Sequence, residues 1–378
     1  MYCFFIKHVR FLLLFSLALY SCPRVLAQGD PKMPGGSKAG YYQRQMLQLQ
    51  QSIRRYFYDS ASGYYRESIY PEENNNPASY LWPLCALLQA NNEIDKVIPA
   101  HQRLFDSTFS LIRKYYDTSA PAPGYASYIP ALGGGDRFYD DNQWIGIALM
   151  DAYKRTGEAA YIRDSKEIYR FMMTAFDTAT GGGLYWQEGK LHSKNTCSNG
   201  PGIILALQLC NATGNKKYQD TAGLLYNWVN RHLQASSGLY YDNISTTTGK
   251  VDQKKYSYNT GTMMQSGLYL YELTNDPQYL KAVVAVADSA MHYFLSSGKF
   301  KDTYWFNAVL LRAYQHLLLH VKDLKYIRAF KKCTDYALLQ KKNSQGLMEN
   351  KKVVDLVGQA GMLEILARLS WLEKEYSL

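Results

Sequence analysis

Two kinds of helical segment alternate along this chain, and the alternation restricts it to few folds. One kind is amphipathic. After Thr156, residues Tyr161, Ser165, Ile168, Tyr169 and Met172 recur at helical spacing on one side, while Arg163, Lys166, Glu167 and Arg170 take the other. The other kind is apolar nearly all round, as in residues 144–153, and a helix of that composition has to be buried on most sides. The amphipathic segments share an opening: Thr156-Gly157 before Tyr161, Thr213-Gly214 before Tyr218, Thr274-Asn275 before Tyr279, and Val321-Lys322 before Tyr326. These tyrosines stand 57, 61 and 47 residues apart, a helix-pair repeat longer than the common solenoid periods. Amphipathic helices are expected to begin near Tyr41, Ile98, Ala159, Lys216, Pro277 and Leu324, and apolar ones near Ser79, Asp141, Ser198, Thr260, Tyr304 and Leu356. Six of each predict an all-α closed toroid, an (α/α)6 barrel whose apolar helices line the axis. An open solenoid needs polar capping repeats at its ends, whereas the last apolar segment runs almost to the C-terminus.

With 47% hydrophobic and 20% charged residues the chain can fill a large core and is not disordered. Residues 1–27 read as a signal peptide: Lys7 and Arg10 precede an apolar run over 11–20, and Val25-Leu26-Ala27 offers a small-residue cleavage site. That run is too short to span a bilayer. Leu19-Tyr20-Ser21-Cys22 is a rival cleavage site that resembles a lipoprotein box, so the expected address is export, with Cys22 a possible lipid anchor. Residues 28–40 read as a flexible linker and 41–378 as one catalytic domain. The formal charge of +10 falls to 10 − 3 = +7 once Lys7, Arg10 and Arg24 leave with the leader. The basic residues are scattered along helical faces, which argues against a nucleic-acid partner. Cys85, Cys197, Cys210 and Cys333 form no C-x-x-C pair and read as buried thiols. No cofactor, no metal site and no oligomer is expected.

Twelve helices in a ring bring the segments that lead into the apolar helices to one face. Those segments carry Tyr80 and Trp82; Tyr139, Asp140, Asp141 and Trp144; Trp186, Lys194, Asn195, Ser198 and Asn199; Tyr240, Asp242, Tyr258 and Asn259; and Tyr304, Trp305 and Asn307. Helix N-termini attract Asn, Asp and Ser in any protein, which accounts for the amides but not for four of the six tryptophans. Aromatic rings that stack on sugar faces, with carboxylates and amides for the hydroxyls, compose a carbohydrate cleft. The Tyr count of 34 in 378 points the same way. Asp140 and Asp141 stand side by side after Gly133-Gly134-Gly135, which lets the backbone turn tightly. Two adjacent carboxyls either stand in solvent or share a task that needs one protonated and one ionised. Short extended pieces are expected near 182–186 and 238–241.

In order and spacing, Tyr139-Asp140-Asp141-Asn142-x-Trp144, Gly181-Gly182-Gly183-Leu184-Tyr185-Trp186, residues 194–201, Gly238-Leu239-Tyr240-Tyr241-Asp242 and Tyr258-Asn259-x-Gly261 resemble glycoside hydrolase family 76, the bacterial and fungal endo-α-1,6-mannanases. The resemblance runs from about Tyr41 to the C-terminus. It implies retaining hydrolysis of α-1,6-mannan, with Asp140 as nucleophile and Asp141 as general acid/base. A retaining pair needs carboxyls about 5–5.5 Å apart. It also implies sugar contacts from Tyr139, Trp144, Trp186, Asn195, Asn199, Asp242, Tyr258 and Asn259. Gln143-Trp144-Ile145 departs from the family pattern, which often has a second aromatic after the Trp.

Three rival functions keep the same toroid. Epimerases of this architecture use paired histidines, but only His192 lies in a loop near the cleft. His316 and His320, at i, i+4, lack a Glu between them or an evident third ligand, so both read as packing or solvated residues. A glycan-binding protein would need the rings without the carboxylate pair. A transglycosylase would pass the glycosyl intermediate to a sugar hydroxyl instead of water.

Overall fold

The apolar segments form the inner ring because a helix without a polar face has nowhere else to go. The computed structural model describes residues 40–99, 103–349 and 353–376; the expected leader and nearly all of the linker, residues 1–39, lie outside them. Among the described residues there are twelve α-helices. The inner six are α2 (Leu81–Val97), α4 (Tyr139–Thr156), α6 (Thr196–Thr213), α8 (Ser257–Thr274), α10 (Tyr304–Leu317) and α12 (Leu356–Tyr376). The outer six are α1 (Tyr41–Phe57), α3 (Leu104–Ile112), α5 (Ala159–Met173), α7 (Lys216–Leu233), α9 (Pro277–Ala290) and α11 (Lys325–Gln340). Each inner helix packs on the next, α12 returns to α2, and each outer helix covers an inner neighbour, so the ring is a closed (α/α)6 toroid. None of the described helices is long and apolar enough to cross a membrane.

Helix starts follow the expected order with one clear shift. α3 begins at Leu104, not near Ile98, because the apolar run of α2 continues to Val97. α4, α6 and α8 begin two or three residues early, which moves Asp140 and Asp141 from the approach loop into the first turn of α4. Left-handed Gly133 and Gly134 make the turn that precedes it.

Polar side chains lock these starts. Asn142 exchanges hydrogen bonds with both backbone groups of Tyr125 (2.7 and 2.9 Å), and Asn199 does the same with Leu184 (2.9 and 3.1 Å). Each amide also donates to the carbonyl four residues back, at Phe138 and Asn195. Gln359 clamps Met348 in the same two-bond manner at the start of α12. Buried backbone groups outside regular structure need partners, and these amides supply them.

Ring closure rests on two close contacts. The backbone of α12 touches that of α10 at Gly361, where an added Cβ would lie 2.3 Å from the Trp305 nitrogen. Further along, the fully buried Glu364 accepts from Arg312 of α10 (2.5 and 2.7 Å) and from Arg368 (2.8 Å), and Arg368 reaches on to Gln315 (2.8 Å) and Glu93 of α2 (3.1 Å).

The strand content is higher than expected. Two-stranded hairpins β1–β2 (Tyr58–Asp59, Tyr64–Tyr65) and β3–β4 (Tyr116–Asp117, Gly124–Tyr125) precede α2 and α4. A four-stranded antiparallel sheet joins β5 (Tyr185–Gln187), β6 (Lys190–Asn195), β7 (Tyr241–Ser245) and β8 (Val251–Lys255) in that order. The expected extended piece over 182–186 overlaps β5, and that over 238–241 reaches only the first residue of β7. All of these strands lie in the connections that lead into inner helices, so the sheet walls one part of a single rim.

Candidate active site

The rim encloses a cleft of about 680 Å3. Its floor carries Asp140 and Asp141, and its lining includes Tyr80, Trp82, Trp186, Asn195, Asp242, Tyr258 and Trp305.

The position of Trp186 follows from Arg137. This buried guanidinium makes a two-bond ion pair with Glu188 (2.6 and 2.7 Å) and donates to the carbonyls of Ser119, Ala120 and Ala122. Glu188 N–H donates to the Arg137 carbonyl, and Phe138 bridges Gln187. The β5–β6 hairpin is thereby fastened to the residues just before α4. Trp186 then packs on Phe138 with ring centroids 4.9 Å apart, and its Nε1 donates to Asp140 Oδ2 at 3.1 Å.

The two carboxyls have unequal surroundings. Asp140 receives the Trp186 indole, the Cys197 thiol and the Asp141 backbone N–H (3.1 Å). Burial pushes its pKa up to about 6, while these donors oppose the rise. No donor among the described residues reaches the Asp141 carboxyl, and burial followed by the Asp140 charge pushes its pKa well above the usual carboxylate range. One carboxyl is set up to ionise and its neighbour to keep a proton.

Cys197, at the start of α6, is a buried thiol as expected, yet it also lines the cleft, bonded to both Asp140 and Tyr258. Nothing in its spacing marked it, because the contact is made across three helices. Phe306, Tyr256, Asn243, Ser193 and Ser127 also line the cleft and were not singled out by the sequence.

Of the expected sugar contacts, Trp186, Asn195, Asp242 and Tyr258 line the cleft. Asp242 receives Asn243 (3.0 Å) and Asn259 (3.3 Å), and Tyr258 stacks on Phe306 at 4.0 Å. The other four lie beneath the surface. Tyr139 is buried on Phe171 and bonds Thr174; Trp144 is buried edge-on to Trp305; Asn199 is the backbone clamp of α6; and Asn259 is fully buried under Asp242. Lys194, Ser198, Tyr240, Tyr304 and Asn307 are buried too, Lys194 in an ion pair with Asp177. Tyr139, Trp144, Asn199 and Asn259 face into the helix packing because α4, α6 and α8 start earlier than their sequence pattern indicates.

Tyr80, Trp82 and Trp186 remain 40%, 38% and 38% exposed, which identifies the rings free to meet a ligand. Trp186→Ala should raise KM several-fold, in line with aromatic contact energies of about 0.5–1.5 kcal/mol. It should leave the thermal midpoint nearly unchanged. Loss of folding with unaltered KM in the folded fraction would assign the ring to the core.

Fold and cleft together define a helical toroid that presents a buried carboxylate pair to a groove of aromatic rings. The chain belongs to glycosyl hydrolase family 76, whose family model matches residues 48–335. It is 32% identical over 163 residues to the mannan endo-1,6-alpha-mannosidase DCW1 of Saccharomyces cerevisiae, an alignment covering 39% of this chain and 36% of that one. The chain thus spans less than half the length of the curated relatives it matches. A family 76 mannosidase from Bacteroides thetaiotaomicron superposes with a TM-score of 0.79 at 26% identity, covering 89% of this chain and all of that one. An inactive variant of the Salegentibacter α-1,6-mannanase, in which two aspartates are changed to asparagine, holds α-1,6-mannotriose; it superposes with a TM-score of 0.73 at 21% identity over 88% of this chain and all of that one.

Proposed function

We propose that this chain hydrolyses α-1,6-mannosidic linkages in mannan by a retaining double displacement, with Asp140 as nucleophile and Asp141 as general acid/base. The observation that carries this reading is the unequal hydrogen bonding of the pair. Asp140 has three donors to stabilise its anion, and Asp141, which has none among the described residues, sits beside that anion. A nucleophile must be ionised to attack the anomeric carbon, and the acid must hold its proton to release the leaving oxygen. Once the glycosyl ester has formed, Asp141 has given up its proton and acts as the base that activates water. Family membership and the mannan-cleaving activities of the relatives support the substrate, and the exposed Tyr80, Trp82 and Trp186 provide ring faces for successive mannose units. Read with the leader expected over residues 1–27, the activity is an exported one.

The acidic limb follows from Asp140: kcat/KM should rise with pH through an apparent pKa near 6 as Asp140 ionises. It should fall at higher pH as Asp141 loses its proton, and Asp141→Asn should abolish that alkaline limb. A profile flat from about pH 5 to 7 would mean that Asp140 ionises outside this range.

The direct test is product analysis after incubation with linear α-1,6-mannan. Early release of oligosaccharides is the expected result, and the absence of new reducing ends would overturn the hydrolase reading.

A further inference from the structure

At the end of the toroid opposite the cleft, two inner helices finish against each other in a way the sequence did not reveal. Glu272 lies in the last turn of α8, His316 in the last turn of α10, and His320 in the turn that follows. Glu272 Oε1 is 2.8 Å from His316 Nε2 and 2.9 Å from His320 Nε2. One ligand atom from each of the three residues falls within 4.8 Å of the other two. Tyr258, at the start of α8, lines the cleft, so a rise of 1.5 Å per residue puts Glu272 about 20 Å further along the axis. The proposal therefore concerns a place separate from the carboxylate pair.

We propose that Glu272, His316 and His320 form a binding site for a borderline divalent transition-metal ion, Zn2+ foremost. Two imidazole nitrogens and one carboxylate oxygen are the donor set such ions prefer, whereas Mg2+ and Ca2+ favour all-oxygen shells. His316 in the last turn of α10 and His320 in the turn that follows both reach Glu272, which the neighbouring α8 supplies as the third ligand. Tetrahedral zinc with bonds of about 2.0–2.2 Å holds its ligand atoms roughly 3.3 Å apart, so the two contacts open by about half an ångström to admit the ion. Each imidazole then binds through unprotonated Nε2 and carries its proton on Nδ1.

Two further features favour a cation here. The helix ends that meet are C-termini, which carry the negative end of the helix dipole. The imidazoles are also oriented in advance: the His316 ring stands edge-on to Tyr269 at 4.7 Å and the His320 ring perpendicular to Tyr271 at 5.3 Å. All three side chains keep some solvent exposure, and Glu272 and His316 border a cavity of about 430 Å3, which gives water access to a fourth coordination position. The bound ion would clamp α8 to α10 at the far end of the ring.

The test uses the full chain without a histidine tag. Calorimetric titration with Zn2+ should give one equivalent bound, with no comparable heat from Mg2+ or Ca2+. Co2+ should develop the intense visible bands of a tetrahedral N,O-ligated ion. Glu272→Gln and the double variant H316Q/H320Q, each checked for native circular dichroism, should weaken Zn2+ binding at least about tenfold. At saturating Zn2+ the thermal midpoint of the wild-type chain should rise by about 3–6 °C, and that of the double variant should not move. Hydrolysis of mannan should be the same with and without the ion. Zn2+ bound equally by wild type and the double variant, or Co2+ showing only the pale octahedral spectrum, would overturn the site.

Discussion

Asp140→Asn should abolish turnover of every substrate, a loss of about 10⁴-fold or more, because no glycosyl ester can form on an amide. The fold should survive, since the amide still accepts the Trp186 indole. Asp141→Asn should behave differently. With an aryl α-mannoside whose leaving group needs no proton, the first displacement still occurs at Asp140, so a burst of aryl product should precede slow release. Added azide should restore turnover and give an azide product of retained α configuration. Azide rescue in Asp140→Asn with Asp141→Asn inert would exchange the two roles. Release of inverted sugar by the wild-type enzyme would sink the retaining mechanism itself.

Replacing Glu364 with Leu should be the most damaging single change to stability away from the cleft. It leaves the Arg312 and Arg368 guanidinium groups buried without their common anion, and breaking a buried ion pair in this way costs about 3–5 kcal/mol. Burial alone would raise the Glu364 pKa, but the charges of Arg312 and Arg368 hold it below the usual range. A lowered folded-state pKa contributes stability above the unfolded value, so this contribution is present at neutral pH and is lost as pH falls below about 4. Urea unfolding at pH 7 should show a lower midpoint with an unchanged slope. Replacing all three charged residues by Met and Leu should recover much of the loss. A midpoint equal to wild type in Glu364→Leu would mean that the network contributes nothing net.

Periodicity made the ring legible. Six apolar and six amphipathic stretches determine which helices line the axis, and α12 packs back onto α2 to close the ring. The carboxylate pair was legible because adjacent aspartates between aromatics are chemically uncommon. The four-stranded sheet was not. Lys190–Asn195 and Val251–Lys255 are mostly polar and lie over a rim, so no alternation of apolar residues marks them. Asn199 and Trp144 were assigned to the cleft by position, yet the early helix starts rotate them into the packing. Glu272 escaped notice because it stands 44 and 48 residues from its histidines, a separation that only the pairing of α8 with α10 closes.

The contact at Gly361 has a consequence for how the molecule is made. The residue it meets, Trp305, packs against both Trp82 and Trp144 and forms part of the cleft lining. α12 therefore backs a wall of the groove from behind Trp305. During synthesis the aspartates emerge well before α12, but the groove wall at Trp305 gains its backing only when α12 docks against α1, α2 and α10. Contacts of such long sequence separation slow folding, because loop-closure entropy is lost before they form. A chain in which α12 is not docked would carry its carboxylates beside a groove wall that lacks its backing.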